Sequence, residues 1–478
     1  MIGIVFVQIL DMKKIFTLLL LLNFTVFFGQ TKLVSHPLEL KNPSSYHQIL
    51  NAVNADNQVF VFACDREQIH LLKFNSALFF SDSLTIKRPA KNYEILAGYN
   101  FGTSGNPFLY WASQDFKKIL SIEYDLSKKS FKTVESEIPF KNEIIAASFT
   151  ENNNFYILSQ KENGNELKLY VFNNGSLIEQ SLDFSAFKIT DEKEKPKKLS
   201  TLLNDNPIEK IDSKQFNPLF FTVQKTKLYT EDNKIILSLD HNSLQTQLFS
   251  IDLTTFTITE KIIPQPQLEK QNGKSNSYFH KQRLYQIKLN EKQMVFEIKN
   301  YLSGEIIKTF SVKENDSITF RNSPLYLQTG NQRPRDLKTT KKFLRRLSTS
   351  DIGISVYDNQ GTTLATIGRV KNVPSTGNVL LGVSLGVGIA MGGGNVIIGD
   401  FIEEDNVQSI YLESLLDENS QHITGQPEPL AVDYISQFLA QKNNIENNTT
   451  FSYKDFYILG YYDTSLKEYV LRKFQDGL

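Results

Sequence analysis

The densest concentration of a single chemistry in this chain is cationic. The stretch RPRDLKTTKKFLRRL carries Arg333, Arg335, Lys338, Lys341, Lys342, Arg345 and Arg346, with one carboxylate, Asp336, among them. Phe343, Leu344 and Leu347 are spaced to share one side of a helix. As a structural element this is a solvated helix held down by its apolar stripe. As a site it is an anion-binding face. Arg333, Arg335, Lys341, Lys342, Arg345 and Arg346 would hold lipid head groups, a surface polysaccharide or an acidic protein, and the attraction would fall with salt.

A second unusual stretch has the opposite character. No charged residue occurs between Lys371 and Asp400. From Val379 to Met391 the odd positions are bulky and apolar, and the even positions are mostly Gly, Ser or Ala. A period of two places these sets on opposite faces of a strand. Gly392, Gly393 and Gly394 offer a turn back into Asn395–Ile402. The expected element is a long hairpin with its bulky face buried. The functional reading is membrane or partner contact through 379–402, with the bare backbone at Gly386 and Gly388 open to a ligand. Nucleotide binding is excluded by spacing: Gly386, Gly388 and Gly392 do not make GxGxxG, and no GxxxxGK[ST] occurs.

Residues for catalysis or metal binding do not assemble in the sequence. HExxH, GxSxG and the calcium-loop pattern are missing. The acidic group Asp400, Glu403, Glu404 and Asp405 lacks calcium-loop spacing and reads as a solvated turn. The histidines (36, 47, 70, 241, 280 and 422) are scattered, although a ring fold could bring distant residues together. The single cysteine, Cys64, lies in an apolar strand and reads as a buried free thiol, so a large core rather than disulfides must stabilise the fold. No catalytic residue, metal ligand or cofactor is assigned.

Lys plus Arg and Asp plus Glu both number 52 in 478 residues, a balance that argues against a general nucleic-acid binder. The 35 Phe and 20 Tyr suit pleated, half-buried surfaces, whereas the lone Trp111 disfavours sugar stacking. At the N-terminus, Lys13 and Lys14 precede the apolar run IFTLLLLLNFTVFF. This pattern fits a secretory signal peptide over 1–30, with Met12 as the natural start and cleavage near Gly29 and Gln30. The run is short for a membrane span, although an uncleaved anchor is the alternative. Phe28-Gly29-Gln30 is similar to the ends of signal peptides from AT-rich Gram-negative bacteria.

Seven blocks then repeat one plan, an apolar strand, a polar turn and an alternating strand. They start at Gln58, Pro107, Asn154, Asn233, Gln282, Asp351 and Asp455. Three of the spacings are 49, 47 and 49 residues, the length of a four-stranded propeller blade. Further alternating strands, such as SLTIKRP and TFTITEKIIP, follow most blocks as outer strands. The last block stops close to Leu478, and KLVSHPLEL from Lys32 is expected to supply its missing outer strand and close a ring. Longer spacings predict insertions at 184–217, 313–350 and 371–450. The first is expected to be a surface loop with a short helix. The third is expected to hold a core-packing helix in PLAVDYISQFLAQKNN and, from Asn395, a possible eighth hairpin.

Over Lys32 to Phe474 the chain resembles β-propeller proteins in repeat architecture, without the WD signature or a named blade motif. The expected fold is all-β: a propeller of about seven four-stranded blades, six to eight being compatible, over 31–478. The expected function is binding or scaffolding for an envelope protein or polysaccharide, in the periplasm, at the outer membrane or outside the cell. Alternatives are a hydrolase of glycans or phosphate esters at the ring centre, and a membrane-associated component using the glycine-rich hairpin.

Overall fold

Strands that are apolar on both faces can be buried only between other sheets, and this chain meets that demand by stacking sheets around a ring. A computed structural model describes residues 30–42, 44–270, 272–329, 333–359, 361–372 and 407–477. Strand β1 (Gln30–Pro37) opens the described chain. Blade 1 then comprises β2 (Gln48–Val53), β3 (Val59–Cys64), β4 (Gln68–Phe74) and β5 (Phe80–Lys87). Blade 2 follows with β6 (Ile95–Phe101), β7 (Pro107–Ala112), β8 (Lys118–Asp125) and β9 (Ser130–Glu137). Blade 3 has β10 (Glu143–Glu151), β11 (Asn154–Lys161), β12 (Glu166–Asn173) and β13 (Ser176–Asp183).

Helix α1 (Leu199–Asp205), β14 (Ile208–Ile211) and the short helix α2 (Leu219–Thr222) precede the body of blade 4. That body is β15 (Thr226–Glu231), β16 (Lys234–Leu239), β17 (Gln245–Asp252) and β18 (Ile258–Pro264). Blade 5 is β19 (Lys274–His280), β20 (Arg283–Leu289), β21 (Gln293–Asn300) and β22 (Ile306–Lys313). Blade 6 draws on β23 (Tyr326–Thr329), β24 (Arg335–Asp336), helix α3 (Thr340–Leu347), β25 (Ile352–Asn359), β26 (Thr362–Asn372) and β27 (Val407–Leu416). Helix α4 (Ala431–Ala440) leads into blade 7, with β28 (Ile445–Tyr453), β29 (Phe456–Asp463) and β30 (Glu468–Phe474).

Among the described residues there are seven sheets, five of four strands and two of five. The first strand of each regular blade is innermost and the last is most exposed; β9, for example, is exposed along nearly its whole length. Neighbouring inner strands touch, β28 with β2, β2 with β6, β6 with β10, and β19 with β25. Apolar clusters lie between consecutive blades: 1 with 2, 2 with 3, 3 with 4, 4 through 6, and 7 with 1. Between blades 6 and 7, α4 inserts Ala431, Ile435 and Phe438 beside Tyr357. The chain is therefore a closed, seven-bladed β-propeller. β1 pairs antiparallel with β30, Gln30 opposite Phe474 and Pro37 opposite Glu468, and so completes blade 7 from the other end of the chain. Closure this way covers the edge that β30 would otherwise expose.

Blade 6 differs from the order expected of its block. The sheet runs β24-β23-β27-β26-β25. The hairpin starting near Asp351 is thus the inner pair of strands, whereas the other six hairpins are the middle pair or, in blade 7, its equivalent. The outer strands of blade 6 come from residues preceding α3, and its third strand is β27, from within 371–450. No eighth sheet occurs among the described residues, because Val407–Leu416 pairs with β26. The glycine-rich run with Gly386 and Gly388, the acidic group at 400–405 and the N-terminal apolar run lie outside the described residues.

Candidate functional site

The centre of the ring is occupied by the chain itself. Residues 184–217 hold the expected short helix, α1, and are exposed over 192–198, but the rest is not a surface loop. Phe184, Ile189, Leu199, Leu202 and Leu203 are buried between blades 3 and 4, and the segment then turns inward. β14 runs parallel to β15 on its inner side, as a fifth strand. It touches β10 of the neighbouring blade 3, and α2 returns against β14, β25 and β26 of blade 6. Ile211 is fully buried.

Polar groups on the inner strands hold this plug. Asn276 of β19 donates through Nδ2 to the carbonyls of Thr222 (3.3 Å), Val223 (3.0 Å) and Ile352 (2.6 Å). Asn217 Nδ2 donates to Tyr278 OH at 3.0 Å and to the carbonyl of Asp212 at 2.7 Å. Ser355 Oγ donates to the Asn217 carbonyl. Lys227, fully buried, donates to the Gln224 carbonyl (2.7 Å) and Asn276 Oδ1 (2.7 Å) and pairs with the equally buried Asp240 at 3.2 Å. Burial pulls the Lys227 ammonium down despite that partner. Gly353 makes room for the plug: a Cβ there would lie 2.8 Å from Val223 N and 2.9 Å from Thr222 C.

Above the plug, the turns joining first and second strands form a mouth. Two wells share Lys214 and Ser452. The larger, of about 750 Å³, is bounded by the turns at 54–56, 102–105 and 152–153 and by Asp212 and Gln215 of the plug. The smaller, of about 460 Å³, lies against Tyr357, Asp358, Asp455, Tyr457 and Asp476. The rim turns are built by asparagine. Asn152 and Asn153 have φ of 45° and 58°, the left-handed pair that a tight two-residue hairpin requires. Asn153 is also bonded at 2.7 Å to both the N–H and the carbonyl of Phe101 in blade 2, and Asn152 donates to the Asp232 carbonyl in blade 4. One turn thereby fastens three blades.

The mouth is acidic. Asp56, Glu151 and Asp212 face Lys214 in the larger well, and Asp358, Asp455 and Asp476 face Lys214 and Lys454 in the smaller. Burial acts to raise the Glu151 carboxyl. A 2.6 Å bond from Thr230 Oγ1 and the charges of Lys210 and Lys214 outweigh it and leave the group below its ordinary value. Asp358 is treated alike: burial is overcome by His280 (3.0 Å), Lys281 (2.5 Å) and Thr363 (2.7 Å), which hold it far below the carboxylate range. Both are fixed anions at neutral pH. The carboxyl raised most in this region, Glu209 of β14, is pushed by burial to about 8 against the charge of Lys227, but it lines neither well. A hydrogen-bonded chain links the plug to α4: Phe216 N–H donates to Tyr457 OH (3.4 Å), Tyr457 to Tyr357 (3.0 Å), and Tyr357 to Asp476 (2.7 Å). Asp476 in turn accepts from Ala431 N at 2.6 Å, at the start of α4 where backbone N–H groups favour an anion.

The sequence-derived candidates lie elsewhere. Lys341, Lys342, Arg345 and Arg346 are exposed on α3, whose Phe343, Leu344 and Leu347 are fully buried in the core of blades 4 to 6. Arg333 and Arg335 are exposed beside and on β24, and none of these cations reaches the mouth. Each histidine has its own partner: His36 stacks on Phe80, His47 meets Glu446, His70 Thr85, His241 the Thr190 carbonyl, His280 Asp358 and His422 Asn322. Cys64 and Trp111 are fully buried. Among the described residues, no group of three or more His, Cys, Asp or Glu is arranged to hold a metal ion. The plug and the acidic mouth were not legible in the sequence; the run Asn152-Asn153-Asn154 is the one local signal of a rim turn.

Fold and site together define a seven-bladed propeller with a filled channel and an open acidic mouth. No family model and no curated protein matches the sequence. Among solved structures, the chain is similar to the WD40 domain of SCAP from fission yeast (9% identity over 94% of this chain and 98% of that one, TM-score 0.31). It is also similar to the β-propeller domain of Nup133 from Vanderwaltozyma polyspora (10% identity, 93% and 97% covered, TM-score 0.34). The Aleuria aurantia lectin matches at 11% identity over 69% of this chain and 93% of that one, TM-score 0.24. Likeness at this level transfers no residue role.

Proposed function

We propose that this protein is an exported binding or scaffolding protein of the bacterial envelope, and that its mouth holds an extended, basic peptide segment of a partner protein. The observation that carries this reading is the plug: β14 and α2 fill the channel, so a ligand is held in the shallow wells above them. The two wells share Lys214 and Ser452 and so form one groove suited to an extended chain. Its excess of carboxylates over lysines favours cationic side chains, and clefts of one sign raise the local concentration of the opposite one. Export rests on the basic pair and apolar run at 13–28.

Glu151 and Asp358 suit the holding of cations better than acid catalysis. Glycoside cleavage needs one carboxyl held protonated near the working pH, whereas Glu151 and Asp358 are both held ionised. The test is calorimetric titration with extended peptides bearing two or three Arg or Lys, against matched neutral peptides. Ser104→Trp and Ser452→Trp, two exposed rim positions, should each abolish binding without changing the fold. Equal affinity for neutral peptides, or binding that survives both blocks, would overturn the reading.

A further inference from the structure

The cations of blade 6 are arranged as a rigid surface. Helix α3 is capped by Thr339, whose Oγ1 accepts from Lys342 N at 3.3 Å. Phe343, Leu344 and Leu347 have no exposed area, so the helix cannot roll, and Lys341, Lys342, Arg345 and Arg346 are locked outward. The adjoining β24 is the outermost strand of its sheet and presents Arg335 beside Arg333.

This charge is poorly compensated. Lys338 pairs with Asp336 at 3.3 Å, and Lys341 with Glu314 at 3.2 Å, a carboxylate already shared with Lys292 at 3.5 Å. Among the described residues, Arg333, Arg335, Lys342, Arg345 and Arg346 have no ion pair. Beneath them Arg369, 4% exposed, is also without a carboxylate: it donates to Ser350 Oγ (2.7 Å) and Gln408 Oε1 (3.5 Å), and its Nε has no partner. In a chain of zero net charge, so many cations on one edge mark a polyanion as the missing partner.

We propose that the basic edge of blade 6 docks the protein on an anionic phospholipid surface. The cations spread over a helix face and an edge strand and line none of the wells, which suits a plane of head groups better than a single small anion. Four of the five unpaired cations are arginines, whose planar fork binds phosphate oxygens two at a time. A bilayer is favoured over an acidic polysaccharide by the arginine forks and by the sequence that follows β26. Ser348–Asp351 join α3 directly to β25, whose Ile352 lies opposite Arg369, three residues before β26 ends at Asn372. In the sequence, residues 372–399 contain no charge. A basic surface followed in the sequence by a long uncharged, largely apolar stretch matches the composition of membrane-interacting chains. The docking residues are the cations alone.

The test is co-sedimentation of the full chain with phosphatidylcholine vesicles, with and without phosphatidylglycerol. Binding is expected only with the anionic lipid and should weaken sharply between 0.1 and 1 M salt, as the screening length falls from about 10 Å to about 3 Å. Each lost cation should lower partitioning roughly fivefold, equivalent to about 1 kcal/mol. The exposed triple variant Lys342→Gln/Arg345→Gln/Arg346→Gln should therefore bind about 100-fold more weakly. A control triple on blades 2 and 3, Lys128→Gln/Lys132→Gln/Lys141→Gln, should bind as the parent does. Equal binding to neutral vesicles, equal losses in the two triples, or retention on heparin without any vesicle binding would each overturn the proposal.

Discussion

Gly353 stands where the inner strand of blade 6 meets the backbone of the plug, and Gly353→Ala tests that contact directly. The added Cβ would lie 2.8 Å from Val223 N, 2.9 Å from Thr222 C and 3.0 Å from Thr222 O, all inside the 3.4 Å at which ordinary contact begins. These are main-chain atoms, and Asn276 pins both carbonyls of the Thr222–Val223 pair to β19 and β25. Neither side can yield cheaply. Overpacking of this kind costs about 1–3 kcal/mol; the gain from replacing glycine within a strand offsets roughly 0.5–1 kcal/mol, leaving a net loss near 1–2 kcal/mol. Urea unfolding measures that loss. Limited trypsin digestion locates it, because Lys225 at the end of the plug is shielded in the parent, its side chain 17% exposed, and should become a cleavage site. Gly164→Ala, whose nearest outside atom would be 4.0 Å away, is the control and should change neither readout. If Gly353→Ala matches the parent in both, the plug does not pack where this account requires.

Glu209→Gln should alter the pH dependence of stability. Folding raises the Glu209 carboxyl from 4.5 to about 8, so its contribution is full below pH 4.5 and is lost as pH rises through 8. The neutral variant should match the parent at pH 4.5 and gain on it by about 1.4 kcal/mol per pH unit at first, solvent screening of the half-buried group limiting the total to about 2–3 kcal/mol; parallel stability profiles for the two proteins would refute this. Cys64, whose thiol burial pushes up to about 12, should resist a thiol reagent at pH 8 until the protein unfolds, and rapid labelling of the native protein would contradict its placement. Deleting residues 30–37 strips β1 from β30 and exposes a long edge strand; size-exclusion chromatography should show association or aggregation, and an unchanged monomer would count against closure by that strand.

The hairpins were legible because each pairs an apolar strand with an alternating one. In β3, β7 and β11 nearly every residue is buried, since these strands lie in the middle of sheets packed on both faces. Closure by the first strand was legible because the last block has no outer strand of its own. Blade 6 misled for a physical reason: β25 and β26 are as buried as a middle pair, so composition cannot tell an inner hairpin from a central one. The plug was hidden more thoroughly. IEKI is too short to show a period, two of its four residues are charged, and the flanking Asn, Asp and Lys look like solvent-facing loop. Their burial depends on partners such as Asn276, Lys227 and Tyr278, distant in sequence, which the ring alone brings together. The basic helix was the reverse case, in which the stripe Phe343, Leu344 and Leu347 announced both the helix and its buried side.

The claim on which the rest depends is that, among the described residues, the chain fills its own channel and leaves the mouth open above the plug. Hydrogen exchange of the full-length protein, resolved by peptide, tests this most directly. The account predicts that amides of Ile208–Ile211 and Leu219–Val223 exchange as slowly as those of the inner strands β15 and β25, near the rate of global unfolding, while the rim turns at 54–57 and 102–105 exchange orders of magnitude faster. Exchange of 208–223 at the rate of the rim turns would contradict it and would reopen the ring centre as a place for ligand or substrate.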